Sequence, residues 1–358
     1  MSSSEGVPGR VVLECRDFDA NLEFFTKQAG FRIDRISPAD SPREVDLSGH
    51  GLALQLRRGD ADSPVIIQIP GEPRGSKLIA PNGTRIEHAP PVRVVDVPPI
   101  DQSLVISRIA DADDFAAGRA GMGYRDLIPN RQGGRFIASH IRISGGGPVP
   151  DYAHFHKIRF QMIYCYRGWV RVAYEDQGEP FVLSAGDCVL QPPEIRHRVL
   201  ESSAGLEVIE IGCPAEHDTF ADHDITLPTG VVAPDRDFGG QRFVRHVAAD
   251  AEWEPWWLDG SHFECRHIGI AEATGGLAGV RVVRPTTNDA ATQPLVHGAE
   301  FALWFVLDGA ADVALDQTSE RLVEGDSVVI PAGVAHALSA SPGTQILEVT
   351  LPAAVPVV

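Results

Sequence analysis

The sequence has no run approaching the roughly 18 consecutive apolar residues of a membrane span. Its opening, MSSSEGVPGR, lacks the charged-then-apolar layout of a secretory signal. Positive charge is in short supply: 31 Lys and Arg against 49 Asp and Glu leave a formal net charge of −18. A surface that acidic repels phosphate backbones and anionic headgroups, so neither nucleic acid nor a membrane is an expected partner. Cysteine is sparse and odd in number (Cys15, Cys165, Cys188, Cys213, Cys265), and the nearest pair lies 23 residues apart. That spacing excludes a disulfide framework and a zinc ribbon, and it suits a reducing cytoplasm, the expected location. No Gly-rich phosphate loop and no Ser/His/Asp ordering is present.

What is present is a chain of 358 residues, long enough for two or three domains, with 43% hydrophobic residues to build their cores. Its 35 Gly and 27 Pro are spread through the sequence with no low-complexity tract to hold them. They punctuate many short elements, which predicts a turn-rich, mainly β protein.

Residues 8–69 read as βαβββ. RVVLEC is a short strand, Asp17 or Asp19 can cap a helix over ANLEFFTKQAG, and Gly30 sits where a helix end takes a left-handed residue. FRIDRIS, REVDLSG and GLALQLRR follow as β runs. With the phrases DFDANLEFFTKQAGFRI and LALQLRRG, this order resembles one half of a vicinal oxygen chelate (glyoxalase-type) module. A complete site in that family takes two halves, and Arg10 falls near the first-strand ligand position. The module is therefore expected to serve association, in a homo-oligomer, rather than chemistry. The organisation expected is a half module over 1–70, a linker with edge strands over 71–120, and β units over 121–235 and 236–358.

The last two units repeat one pattern. MIYCYRGWVRVAYED is echoed by LWFVLDGAADVALDQ, and AGDCVLQPPEIRH by EGDSVVIPAGVAH. Gly168 and Gly309 are 141 residues apart, while Gly186 and Gly325, like His197 and His336, are 139 apart. Offsets this constant mean a tandem duplication. The AADAEWEPWWLDG stretch between the units, with Trp253, Trp256 and Trp257, reads as packing.

In the first unit, His154 and His156 are two apart, so on a strand both imidazoles face one way. Gln161 follows, and the Gly186–Asp187 turn leads back to His197. Three imidazoles and an amide oxygen on antiparallel strands make a divalent transition-metal site.

Here the chain resembles the cupin superfamily, and the repeat makes it look like a bicupin. The family's first motif, G-x5-H-x-H-x3,4-E-x6-G, is met by Gly147, His154, His156, Gln161 and Gly168, with one extra residue after the first Gly and Gln in place of Glu. The second, G-x5-P-x-G-x2-H, is met by Gly186, Pro192, Glu194 in place of Gly, and His197. The resemblance covers about residues 120–355. It implies a mainly β fold of two tandem double-stranded β-helix (cupin) barrels behind the small α+β module, and makes His154, His156, Gln161 and His197 the ligands of one divalent metal. Fe(II) is favoured, with Mn, Ni, Zn or Cu able to use the same ligands. In the second unit only His297 and His336 remain, since Leu295 and Ala302 replace the other two ligands and alternation turns Glu300 away. That site is expected to be weak or structural.

Arg142, Arg159 and Arg196 lie on or beside the ligand strands, with Tyr152, Tyr164 and Tyr166 nearby. Guanidinium groups suit carboxylates and Tyr can donate to bound oxygen, so Arg142, Arg159 and Tyr164 are the candidate catalytic residues and a small anion the candidate substrate. His217 and His223 read as loop. A neutral three-His, one-Gln shell leaves the metal its full charge for a chelating anion. The expected activity is that of a non-haem Fe(II) dioxygenase. Non-redox isomerase, lyase or hydrolase chemistry and plain small-molecule binding are the alternatives, since cupins host them all.

Overall fold

The computed structural model describes residues 9–71, 78–89, 95–112, 115–118, 121–316, 318–355 and 357. They fall into two compact units, Met1–Val94 and Val95–Val358.

The first unit has the βαβββ order read from the sequence. Asp17 caps the helix Phe18–Lys27 by accepting from the Ala20 N–H at 3.0 Å, and Gly30 takes φ +76° beyond its end. Phe24 and Phe25 turn inward onto a sheet in which the strand Val11–Cys15 runs parallel to Leu52–Arg58, with Glu44–Gly49 and Arg32–Ser37 beyond it. The resemblance to a vicinal oxygen chelate half rests on that order alone. The unit does not end at residue 70. Ile66–Pro70 pairs in parallel with Arg85–Ala89, which also carries Leu78–Ile79, so these strands close a small sheet where a linker was expected.

The second unit is two barrels, each built of a seven-stranded sheet facing a smaller one. In the first barrel Phe160–Arg167 lies between Cys188–Leu190 and Leu206–Cys213 in the larger sheet, while Trp169–Tyr174, His197–Ser202 and His154–His156 belong to the smaller. In the second, Phe301–Asp308 and Gln345–Leu351 are neighbours in the larger sheet and Ala310–Leu315 pairs with Ala335–Ala340 in the smaller. The central strands of the larger sheets, such as Phe160–Arg167 and Phe301–Asp308, are largely buried on both faces because each face is covered. On Phe160–Arg167, alternation sends Phe160, Met162, Tyr164 and Tyr166 into a core shared with Leu303, Phe305 and Leu347 of the second barrel. Phe136 and Phe301 stack across that seam at 4.3 Å. Gln161, Ile163 and Cys165 face the other way, into the first barrel.

The duplication is visible as reciprocal contacts. Arg125 of the first barrel donates to the Gly325 carbonyl (2.6 Å), and Arg266 of the second donates to the Gly186 carbonyl (3.3 Å). Asp326 accepts from the Ile109 N–H and Asp187 from the Ala248 N–H, both at 2.8 Å. The strand Val105–Ser107 pairs with Ser327–Val329, so part of the 71–120 segment is an edge of the second barrel.

Candidate metal centre

His154 and His156 sit on one short strand and point the same way. His154 lies opposite His197 on the neighbouring strand. The ring centroids are 4.3 Å apart for His154 and His197, 5.3 Å for His154 and His156, and 5.4 Å for His156 and His197. One nitrogen from each can be chosen so that all three lie within 4.8 Å of one another, the one such grouping of His, Cys, Asp and Glu among the described residues.

The hydrogen bonds set the tautomers. His154 Nδ1 faces the Tyr152 carbonyl (2.8 Å), His156 Nδ1 the Asp218 carbonyl (3.3 Å) and His197 Nδ1 the Ile195 carbonyl (3.0 Å). A carbonyl only accepts, so each Nδ1 donates and each neutral ring keeps its lone pair on Nε2. The three imidazoles can therefore hold a divalent metal. Backbone geometry supports the last of them: Glu194 takes φ 62° at the position where the family motif has Gly, and its N–H donates to the His156 carbonyl at 2.9 Å. Gly168 answers a steric demand, because a Cβ there would fall 2.3 Å from Ser203 Oγ.

The histidines line a cavity of about 110 Å³ in the first barrel, together with Gln161, Tyr174, Gln191 and Glu210 at its polar part. Gln161 Nε2 donates to Glu210 Oε1 at 2.6 Å, and Gln191 Nε2 donates to the Tyr174 hydroxyl at 2.8 Å. Burial pushes the Tyr174 hydroxyl well above the ordinary phenol value. Glu210 escaped the sequence reading. Its signal is a carboxylate interrupting the apolar strand LEVIEIGC, where alternation puts Leu206, Val208 and Glu210 inside and Glu207 in the seam. Glu207 there meets His140 Nε2 at 2.6 Å.

Arg142, Arg159 and Tyr164 are absent from this lining. Arg159 binds Glu300 of the second barrel (Nη1–Oε1 2.7 Å), which Arg135 also holds at 2.6 Å. Arg142 pairs with Glu207 (3.1 Å) and covers the Phe115 ring. Tyr164 lies three residues from Gln161, so alternation turns it to the seam, where burial raises its hydroxyl pKa. Arg196 binds Asp222, and the Tyr166 hydroxyl donates to Glu324. His217 packs edge-on to His156 at 5.1 Å, and His223 lies 6.0 Å from Tyr152. Cys165 and Cys188 are buried, and desolvation lifts the Cys165 thiol to about 12.

The second barrel differs at the same places. His297 and His336 are 5.2 Å apart, and burial holds both below the ordinary imidazole value. His297 uses both nitrogens on the backbone: Nδ1 accepts from the Ala299 N–H and Nε2 donates to the Ile330 carbonyl, each at 3.1 Å. In that tautomer no lone pair is left for a metal. Trp304 stands where Ile163 stands in the first barrel, and Glu348 opposite it where Glu210 does. Glu348, 1% exposed, accepts from Arg281 (2.8 Å) and from the indoles of Trp256, Trp257 and Trp304 (3.1–3.2 Å). Two members of the Trp cluster thus pack against a buried carboxylate, while Arg284 stacks on Trp253.

Two barrels with a shared core, one carrying a histidine triad, have the architecture of a bicupin fold. Residues 283–351 match the family model of the cupin domain. The fold is similar to that of a single-residue mutant of Bacillus subtilis oxalate decarboxylase (TM-score 0.52, 12% identity, covering 71% of this chain and 78% of that one). It is similar also to a single-residue mutant of salicylate 1,2-dioxygenase from Pseudoaminobacter salicylatoxidans (TM-score 0.51, 14% identity, covering 71% and 85%). Another structure of the Bacillus enzyme, described with Mn(II) centres, matches with a TM-score of 0.50 at 13% identity over 69% of this chain and 77% of that one. No functionally curated protein matches the sequence. Among the described residues, no helix is long and apolar enough to cross a membrane.

Proposed function

We propose that the first barrel is the catalytic half of a metal-dependent enzyme acting on a small chelating anion, and that its chemistry is that of a non-haem Fe(II) dioxygenase. The observation that carries this reading is the triad: three imidazoles that line one cavity, with Nδ1 committed to carbonyls and one nitrogen from each within 4.8 Å of the others. His154, His156 and His197 would hold the ion. An iron(II) ion held there would supply Lewis acidity and redox capacity.

The chain's own residues do the rest. Backbone carbonyls orient the three rings before any ion arrives, so little is lost in ordering them. The apolar part of the cavity lowers the local dielectric, which strengthens charge interactions at its polar end. Gln161, by donating to Glu210, keeps that carboxylate in place beside the triad. Its side-chain oxygen can serve as a fourth ligand. The structural neighbours include a dioxygenase and a decarboxylase, and both names point to small carboxylates.

The test is metal analysis of the purified protein, followed by oxygen uptake with catechols, 1,3-diketones and hydroxy-aromatic acids. About one metal per chain with oxygen consumption supports the reading. A bound metal without oxygen uptake moves it to isomerase, lyase or hydrolase chemistry, and a chain that takes up no divalent metal overturns it.

A further inference from the structure

The strand registers divide the cavity into tiers. On one sheet Tyr174 lies opposite His197 and Val172 opposite Val199. On the other, Gln161 is followed two residues later by Ile163, itself opposite Glu210, and the next step brings Cys165 opposite Val208. Side chains two residues apart on a strand are about 6.6 Å apart. The polar groups therefore crowd one end, beside the triad, and the next tiers inward are aliphatic, among them Ile141, Val172, Leu183 and Val208. The total of about 110 Å³ is of the same order as the ~150 Å³ apolar cavity that takes one benzene molecule.

The charge at the polar end is equally one-sided. Glu210 is the one acid lining the cavity among the described residues, and Arg198 the one Lys or Arg. Arg198 is exposed between His197 and Val199, both turned inward, so alternation directs its guanidinium away from the cavity. A second carboxylate on a ligand would meet Glu210 with no Lys or Arg directed inward to offset it, leaving the metal alone to balance both. A hydroxyl or N–H would meet an acceptor already fixed by Gln161.

Building on the metal-dependent reading above, we propose that the first barrel takes a ring-sized chelator carrying one negative charge and a hydrogen-bond donor for Glu210, and that it discriminates against small dicarboxylates. The aliphatic tiers hold the ring, and Glu210 sets the charge preference.

The full chain loaded with Mn(II) is titrated calorimetrically, under exclusion of dioxygen, with salicylate and with oxalate. Salicylate is expected to bind at least tenfold more tightly. Val172→Phe, which fills the aliphatic tier, should weaken salicylate at least tenfold while oxalate and Mn(II) content stay within twofold. Glu210→Gln should tighten oxalate at least threefold. If Val172→Phe does not fold, Val208→Ala replaces it and should admit 4-methylsalicylate more tightly than the parent chain does. Failure to load Mn(II) refutes the metal-dependent reading itself. A loaded chain that binds oxalate as tightly as salicylate, binds neither, or loses both equally in Val172→Phe refutes this inference and leaves the metal reading standing.

Discussion

Replacing His297 and His154 by Ala, one at a time, should separate a structural histidine from a metal-holding one. His297 is 2% exposed and makes two hydrogen bonds, both to backbone groups of residues that are themselves buried, Ala299 and Ile330. His297→Ala strands one N–H and one carbonyl away from water, at about 1–3 kcal/mol each, so the loss of stability should be about 2–6 kcal/mol. His154 borders a cavity that water can enter, and its side chain makes a 2.8 Å bond to the Tyr152 carbonyl. His154→Ala should therefore cost only about 1 kcal/mol of the metal-free chain's stability. It removes one of three imidazoles, however, and should abolish the tightly held metal. The assay pairs urea unfolding of the metal-stripped proteins with elemental analysis of the same variants as purified. The expected pattern is crossed: His297→Ala unstable but loaded, His154→Ala stable but empty. Metal lost from His297→Ala in a folded protein, or retained at one per chain in His154→Ala, refutes the assignment of the first barrel.

Glu348→Ala leaves Arg281, 4% exposed, as a buried charge without its carboxylate and should destabilise by about 3–5 kcal/mol, with altered tryptophan emission and unchanged metal content; a loss under about 1 kcal/mol would contradict the packing described. Buried His140, His246, His297 and His336 are all held below the ordinary imidazole value mainly by desolvation, His246 at about 4. The unfolded chain then binds more protons than the folded one between about pH 6.5 and the folded values, so the stability present above about pH 6.5 is lost as pH falls toward 4. Thermal unfolding of the metal-free chain at pH 7 and pH 5 should show the lower midpoint at pH 5, and an unchanged midpoint would count against those buried neutral rings. A chain beginning at Val95 should keep its metal. One beginning at Gly121 loses the strand paired with Ser327–Val329 and should unfold more readily, an expectation that equal urea midpoints would defeat.

The Gly-and-Pro punctuation and the 141- and 139-residue offsets were enough to read a duplicated, mainly β chain, and the H-x-H spacing with the resemblance to cupins added the two barrels and singled out His154, His156 and His197. These are local or repeated signals: i and i+2 share a strand face, and a duplicated pattern marks itself. The neighbours across strands were out of reach. Glu210 meets Gln161 only because of a pairing register between strands separated by 49 residues, and nothing in either strand alone encodes that register. Arg159 sits two residues before Gln161, yet tertiary packing of the second barrel brings Glu300 to it and removes it from the cavity. Tyr164 follows the same logic, because which face of a strand is barrel interior and which is seam depends on where the second barrel lands. The sequence by itself determined the elements, the duplication and the metal-type residues, since those follow from period and spacing. Tertiary structure alone decided which polar groups share the cavity with them, because side chains distant in sequence meet only when closure of the sheets fixes their register.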